Sequence, residues 1–110
     1  MKIDKSLLSG STTMLILRLL ESKDMYGYQM IEFLERHSNS VFTLKAGTLY
    51  PLLHNLEKQG LVGSYDEPEP ENARPRKYYS ITRAGTKLLR AKKEEWEIYS
   101  SAVDIIMEGV

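Results

Sequence analysis

Apolar and polar positions alternate in a way that divides the chain into six elements. In "KSLLSGSTTMLILRLLES" (5–22), Leu8, Leu15 and Leu19 recur at helical spacing with Thr12 between them, and Ile16 and Leu20 widen the stripe. Ser9 to Thr13 give this helix a weak start, and "SKDMYG" ends it. In "YGYQMIEFLERHS" (26–38), Met30, Ile31, Phe33 and Leu34 form an apolar face, with Glu32, Glu35 and Arg36 on the wet side. "SNSVFT" then breaks the pattern with serine and asparagine. A third helix runs through "AGTLYPLLHNLEKQGLV" (46–62), where Leu52, Leu53 and Leu56 lie on one side. Thr43 or Gly47 is expected as its N-cap. Pro51 is tolerated in a first turn, where its missing N–H costs little, but kinks a helix that begins at Thr43. Gly60 is a natural residue to end it.

"LVGSY" reads as a short strand and "RKYYSI", rich in aromatic and β-branched residues, as a second. Between them "DEPEPENARP" reads as a ten-residue loop with three prolines, so the pair forms a hairpin with a long tip. Tyr78 and Tyr79 alternate across the second strand, one inward and one outward. A last helix opens at Thr82 as N-cap and continues to the end of the sequence. Along it Leu89, Trp96, Val103 and Val110 stand seven apart, and Lys92, Tyr99 and Ile106 form a second series offset by three. This is an a/d seam with Lys92 as its polar exception. No other helix has matching length, so the seam predicts contact with a second copy of the chain through Leu89, Trp96, Tyr99, Val103 and Ile106. Packing back on its own domain is the alternative.

Three helices followed by a hairpin is the layout of a winged helix-turn-helix. The expected fold is therefore mainly α with a small β-hairpin: a winged helix-turn-helix DNA-binding domain over residues 1–81 and a long C-terminal dimerisation helix over 82–110. In this layout the third helix enters the major groove. Gly47 permits close approach, Thr48 and Tyr50 offer hydrogen bonds, and Lys45, His54 and Lys58 add phosphate or base contacts. Thr48 is equally a simple N-cap, and Tyr50 is alternatively packed against the wing. Tyr26 and Tyr28, flanking Gly27, are expected to pack.

A length of 110 residues favours one compact domain, and a chain this short gains from a partner subunit. The absence of cysteine excludes a disulfide framework and a thiolate zinc site. No early apolar run reads as a signal peptide and no stretch has the length of a membrane span, so a cytoplasmic location is expected. The formal net charge is zero, but the charges are sorted. Eight basic residues and no acid lie between Ala73 and Lys93, whereas five acids and no base follow from Glu94. A neutral protein can carry a local positive field in this way. Arg74, Arg76 and Lys77 place part of it on the hairpin, where they are expected to grip phosphate or the minor groove. The acids Asp66, Glu67, Glu69 and Glu71 oppose that role unless they point away or stay mobile.

"MYGYQMIEFLE", "AGTLYPLLHNLEKQGLV" and "RKYYSITRAGTKLL", followed by a helix bearing a tryptophan, resemble the PadR family of bacterial transcriptional regulators, and its small subfamily with a single terminal helix. The likeness covers about Leu8 to Ile106, and its motifs are specific in combination. It implies a homodimer that binds double-stranded DNA at a pseudo-palindromic operator, usually as a repressor. It also implies that the effector, where one exists, is a small aromatic or drug-like compound. In some small members the terminal-helix tryptophan stacks on flat ligands at the dimer interface, and Trp96 stands at that position. Tyr99, Val103 and Leu15 or Ile16 would line the same space, with Met14 as an adaptable wall. Trp96 is alternatively plain dimer core.

Two other classes compete. For an enzyme there is no Gly-rich phosphate loop, no G-x-S-x-G, no H-E-x-x-H and no cysteine nucleophile. His37 and His54 lack metal-ligand spacing, so neither a metal nor a cofactor is expected. A winged-helix protein-interaction module without specific DNA binding fits the zero net charge.

Overall fold

The computed structural model describes residues 3–69 and 72–110. Element order is α1 (Lys5–Ser9), α2 (Thr12–Ser22), β1 (Met25–Tyr26), α3 (Gly27–His37), α4 (Ala46–Lys58), β2 (Val62–Glu69), β3 (Asn72–Ile81) and α5 (Arg83–Gly109). The three expected helices correspond to α2, α3 and α4. The first periodic segment is split: Asp4 caps a five-residue α1, and α2 starts at Thr12 without a side-chain cap.

The core forms where the helical stripes meet the inner face of the sheet. Ile16, Leu17 and Leu20 of α2, Met30 of α3, and Leu49, Leu53 and Leu56 of α4 close against Met25, Val62 and Tyr79. Burial of each large aliphatic side chain contributes about 1.5–3 kcal/mol. The spacing 49, 53, 56 keeps one stripe of α4 inward and leaves Gly47, Pro51, His54 and Asn55 outside. Neither Thr43 nor Gly47 caps this helix. Lys45 holds the N-cap position, with no side-chain hydrogen bond. Pro51 consequently falls in the second turn rather than the first, on the exposed side. At the other end Gly60 adopts φ +75, the left-handed conformation that stops the helix.

The sheet is antiparallel with order β1-β3-β2. Sequence pattern missed β1, whose two residues pair with Tyr79 and Tyr78. Two residues carry no periodicity of their own. The hairpin arms are also longer than expected. β2 continues through Pro68 to Glu69 and β3 begins at Asn72, so the prolines do not make a ten-residue loop. Pro68 sits where the register slips between Glu67 and Glu69, a bulge that tolerates a missing N–H. Pro75 lies in β3 beyond the residues that pair with β1 and within the same register slip, so among the described residues no ladder pairing falls on it. Pro70 and Glu71 lie outside the described residues.

Thr82 ties the wing to α5 as expected of an N-cap. Its Oγ1 accepts from the Gly85 amide at 3.1 Å and donates to the Gly60 carbonyl at 2.7 Å. Gly85 is buried so tightly that a Cβ there would collide with the Leu61 carbonyl and come within 2.8 Å of Ile81. Backbone cannot retreat as a flexible side chain can. Gly85→Ala is therefore expected to cost about 1–3 kcal/mol, read as a lowered Tm with unchanged circular dichroism. A neutral substitution would show that α5 can shift on the sheet.

Candidate DNA interface and terminal-helix cleft

The first turn of α4 projects from the body. Lys45, Gly47 and Thr48 are exposed, and the space a Gly47 Cβ would occupy is empty. The first-turn amides have no side-chain cap, so a helix N-terminus with its partial positive charge is left open beside Lys45. Thr48 is not the cap. Its own amide donates to the Lys45 carbonyl at 3.0 Å. His54 and Lys58 continue the exposed stripe, and Asn55 joins them. Asn55 was missed because it has neither the charge nor the ring that marks a contact residue in sequence, although asparagine is well suited to reading adenine.

Tyr50 is 38% exposed but held. Its ring lies across Gly27 at the start of α3, where a Cβ would meet Oη, Cζ and Cε1. Tyr28 meets it edge-on at 6.3 Å. Burial pushes the Tyr50 phenol pKa up, and the neighbouring phenols of Tyr28 and Tyr79 add to the shift. Tyr50 thus packs against the start of α3, with Tyr79 of β3 near its phenol, and keeps one side open.

The wing differs from expectation in its charges. Among the described residues the acids lie on strands rather than in a loop: in register Asp66 stands opposite Lys77, and Glu67 opposite Arg76. Arg76 Nε lies 3.4 Å from Glu69, and Lys77 Nζ lies 3.8 Å from Glu57 of α4, which also accepts from the Ser64 hydroxyl. Antiparallel pairing brings opposite charges onto the same face, and that pairing was not visible while the segment read as loop. Arg74 is exposed on β3. Alternation turns Tyr79 into the core, and Tyr78 stacks on Tyr65 at 5.8 Å on the outer face. Tyr65 Oη donates to Asp24 at 2.7 Å.

α5 changes character along its length. Gly85 and Leu89 are buried in the body, so Leu89 belongs to this chain's core and drops out of the expected intersubunit seam. Beyond it the apolar residues emerge: Trp96, Tyr99, Val103 and Ile106 are all exposed, from 41% to 62%. Trp96 and Tyr99, 6.2 Å apart, border a cleft of about 270 Å³ with Ser6, Leu7, Gly10, Met14, Lys92 and Glu95. Val103 and Leu15 are not part of it. Leu15 lines a separate hollow of about 40 Å³ with Leu34 and Phe42. Leu7 was missed because α1 did not register as an element. Among the described residues there is no cluster of three or more potential metal ligands, and no helix long and apolar enough to cross a membrane.

A helical body with an outward-facing third helix, followed by a two-stranded wing, defines a winged helix-turn-helix. The chain belongs to the transcriptional regulator PadR-like family, whose model matches residues 16–91. It is accordingly a transcriptional regulator and not an enzyme. It is similar to the transcriptional regulator Rv3488 of Mycobacterium tuberculosis, with 33% identity over 74% of this chain and 72% of the relative. A PadR family regulator from Eggerthella lenta has a TM-score of 0.83 at 33% identity, covering 96% of this chain and 88% of that one. A PadR-like regulator from Bacillus cereus has a TM-score of 0.84 at 27% identity, covering 96% and 100%.

Two expectations follow from this geometry. Gly27→Ala displaces the far end of a side chain rather than backbone, so it is expected to leave Tm nearly unchanged. The Tyr50 ring should swing outward, seen as loss of its nuclear Overhauser contacts to Tyr28. The Tyr65 pKa is pushed up to about 12, first by its hydrogen bond to Asp24. A raised folded-state pKa stabilises fully below the ordinary value near 10, and the contribution is lost as pH rises towards 12. Absorbance titration of Tyr65→Phe should lack one late-titrating phenol, and the stability advantage of the wild type over it should shrink over that range.

Proposed function

We propose that the chain is a homodimeric, sequence-specific DNA-binding repressor acting in the cytoplasm on a pseudo-palindromic operator. The observation that carries this reading is the end of α4: an uncapped, exposed first turn with Lys45, Gly47 and Thr48, held from behind by three buried leucines. Such a turn can approach phosphates and base edges without disturbing the core. Tyr50, His54 and Lys58 extend the contact along the helix, and Arg74, Arg76 and Lys77 do so on the wing. Residues 1–81 form the reading domain, and 82–110 the dimerising helix. The dimer forms along α5 through Trp96, Tyr99, Val103 and Ile106, whose exposure a second helix would remove.

A flat aromatic effector stacks on Trp96 in the cleft between α1, α2 and α5. Its binding alters the placement of the two reading helices, which must span about 34–36 Å between half-sites. A ligand that binds at Trp96 and leaves operator affinity unchanged would defeat this part of the mechanism.

The paired charges of the wing favour a second reading, a protein-interaction module without specific DNA binding. Salt separates the two, because phosphate contacts weaken steeply with added salt and an apolar protein interface does not. The test is binding to duplex from upstream of the chain's own gene, with nonspecific competitor, at two salt concentrations. Tight, salt-sensitive binding of two chains per site is expected. Tyr50→Ala and Lys45→Ala should each weaken it about tenfold, equivalent to about 1.4 kcal/mol, with the dimer intact by light scattering. Full binding by both variants would overturn the docking of α4.

A further inference from the structure

We propose that Tyr26 is a positioning residue for DNA recognition, acting through Arg76. The inference rests on the DNA-binding reading above. The Arg76 guanidinium carbon lies 4.4 Å from the centre of the Tyr26 ring, the geometry of a cation held on an aromatic face. Glu69 holds the Nε side at 3.4 Å, and the side chain remains half-exposed. Arginine has many rotamers, so an arginine already laid on a ring loses less freedom when it meets a phosphate.

The ring is itself fixed. Tyr26 belongs to β1, paired with Tyr78, and its amide is reached by the Gln29 side chain at 3.4 Å. Tyr78 meets the Tyr26 ring edge-on at 5.4 Å and stacks on Tyr65, which is tied to Asp24. The next residue along the chain is Gly27, on which Tyr50 of the reading helix rests. Tyr26 therefore stands at the junction of the reading helix and the wing, and it aims Arg76 from that junction.

The test uses the full-length dimer, a labelled operator duplex and a random duplex, with affinity measured across a salt series. Arg76→Ala should lower affinity and reduce the slope of log K against log salt by about 0.9, the share of one phosphate. Tyr26→Leu should lower affinity three- to tenfold and reduce the slope in the same direction. It should add nothing in the Arg76→Ala background. Tyr26→Phe keeps the aromatic face and should behave as wild type. A purely structural role for Tyr26 would lower Tm but leave the slope unchanged.

In the wild-type protein the Arg76 δ-protons should show an upfield ring-current shift, which needs no variant to observe. Absence of that shift would overturn the contact, even if Tyr26→Leu failed to fold. A Tyr26→Leu effect that adds in full to Arg76→Ala, or no effect on the slope, would overturn the positioning role while DNA binding stands. A wild-type protein with no salt-sensitive duplex binding would overturn both readings at once.

Discussion

A helix that presents its first turn to a partner must be anchored by the opposite side of its later turns. Leu49, Leu53 and Leu56 provide that anchor in α4, and most of the fold is arranged around them. α2 and α3 supply apolar partners on one side, and Met25, Val62 and Tyr79 close the other. The arrangement lets the exposed turn remain poor in packing residues. Gly47, Thr48 and Pro51 would weaken an isolated helix, but tertiary burial rather than intrinsic propensity stabilises this one. The placement of Tyr50 follows from the same geometry. It is the first large side chain of α4 that is neither in the core nor wholly outside, and Gly27 leaves room for its ring.

The wing obeys a different constraint. Its arms are strands, so from Val62 to Glu67 each residue has an opposite number, and the sequence places Asp66 opposite Lys77 and Glu67 opposite Arg76. Each exposed pair adds only about 0.2–1 kcal/mol, so these contacts are not what holds the hairpin together. Their effect is to set where the cations sit. Lys77 is drawn towards Glu57 on α4, while Arg76 lies over Tyr26 near Glu69. A partner that approaches the wing meets cations already placed by neighbours, and must exchange some of those contacts for its own.

α5 serves two surfaces in turn. Its first two turns are locked to the body by Thr82, Gly85 and Leu89, the glycine by close approach to backbone and the leucine by burial. The apolar series then continues through Trp96 and Tyr99 at the edge of the body to the exposed Val103 and Ile106. A 27-residue helix is about 40 Å long, more than this small body can cover. The cleft beside Trp96 lies at the boundary between these regimes, where α1 and α2 still reach the helix but no longer cover it. A molecule bound there touches both the body and the helix that would meet a second chain.

The six main elements were legible in the chain because their periods were long enough to register: the stripes of α2, α3 and α4, the seam of α5 with Thr82 as its cap, and the inward turn of one of Tyr78 and Tyr79. The exposed stripe Lys45, Gly47, Thr48, His54 and Lys58 was legible for the same reason, since burying one face of a helix assigns the other. What depended on partners distant in sequence was not. β1 is too short to show a period and exists only because β3 passes beside it. The prolines at 68 and 75 pointed to a loop, and a register slip between β2 and β3 made them compatible with strands. Leu89 and Trp96 occupy equivalent places in one seven-residue series, but the first is buried in the core and the second borders an open cleft. Leu15 has the spacing of a cleft residue but faces α3. Local pattern determined which side of each element is apolar; the three-dimensional packing decided which apolar side is covered, and by what, because burial is a property of neighbours and neighbours are set by the whole fold.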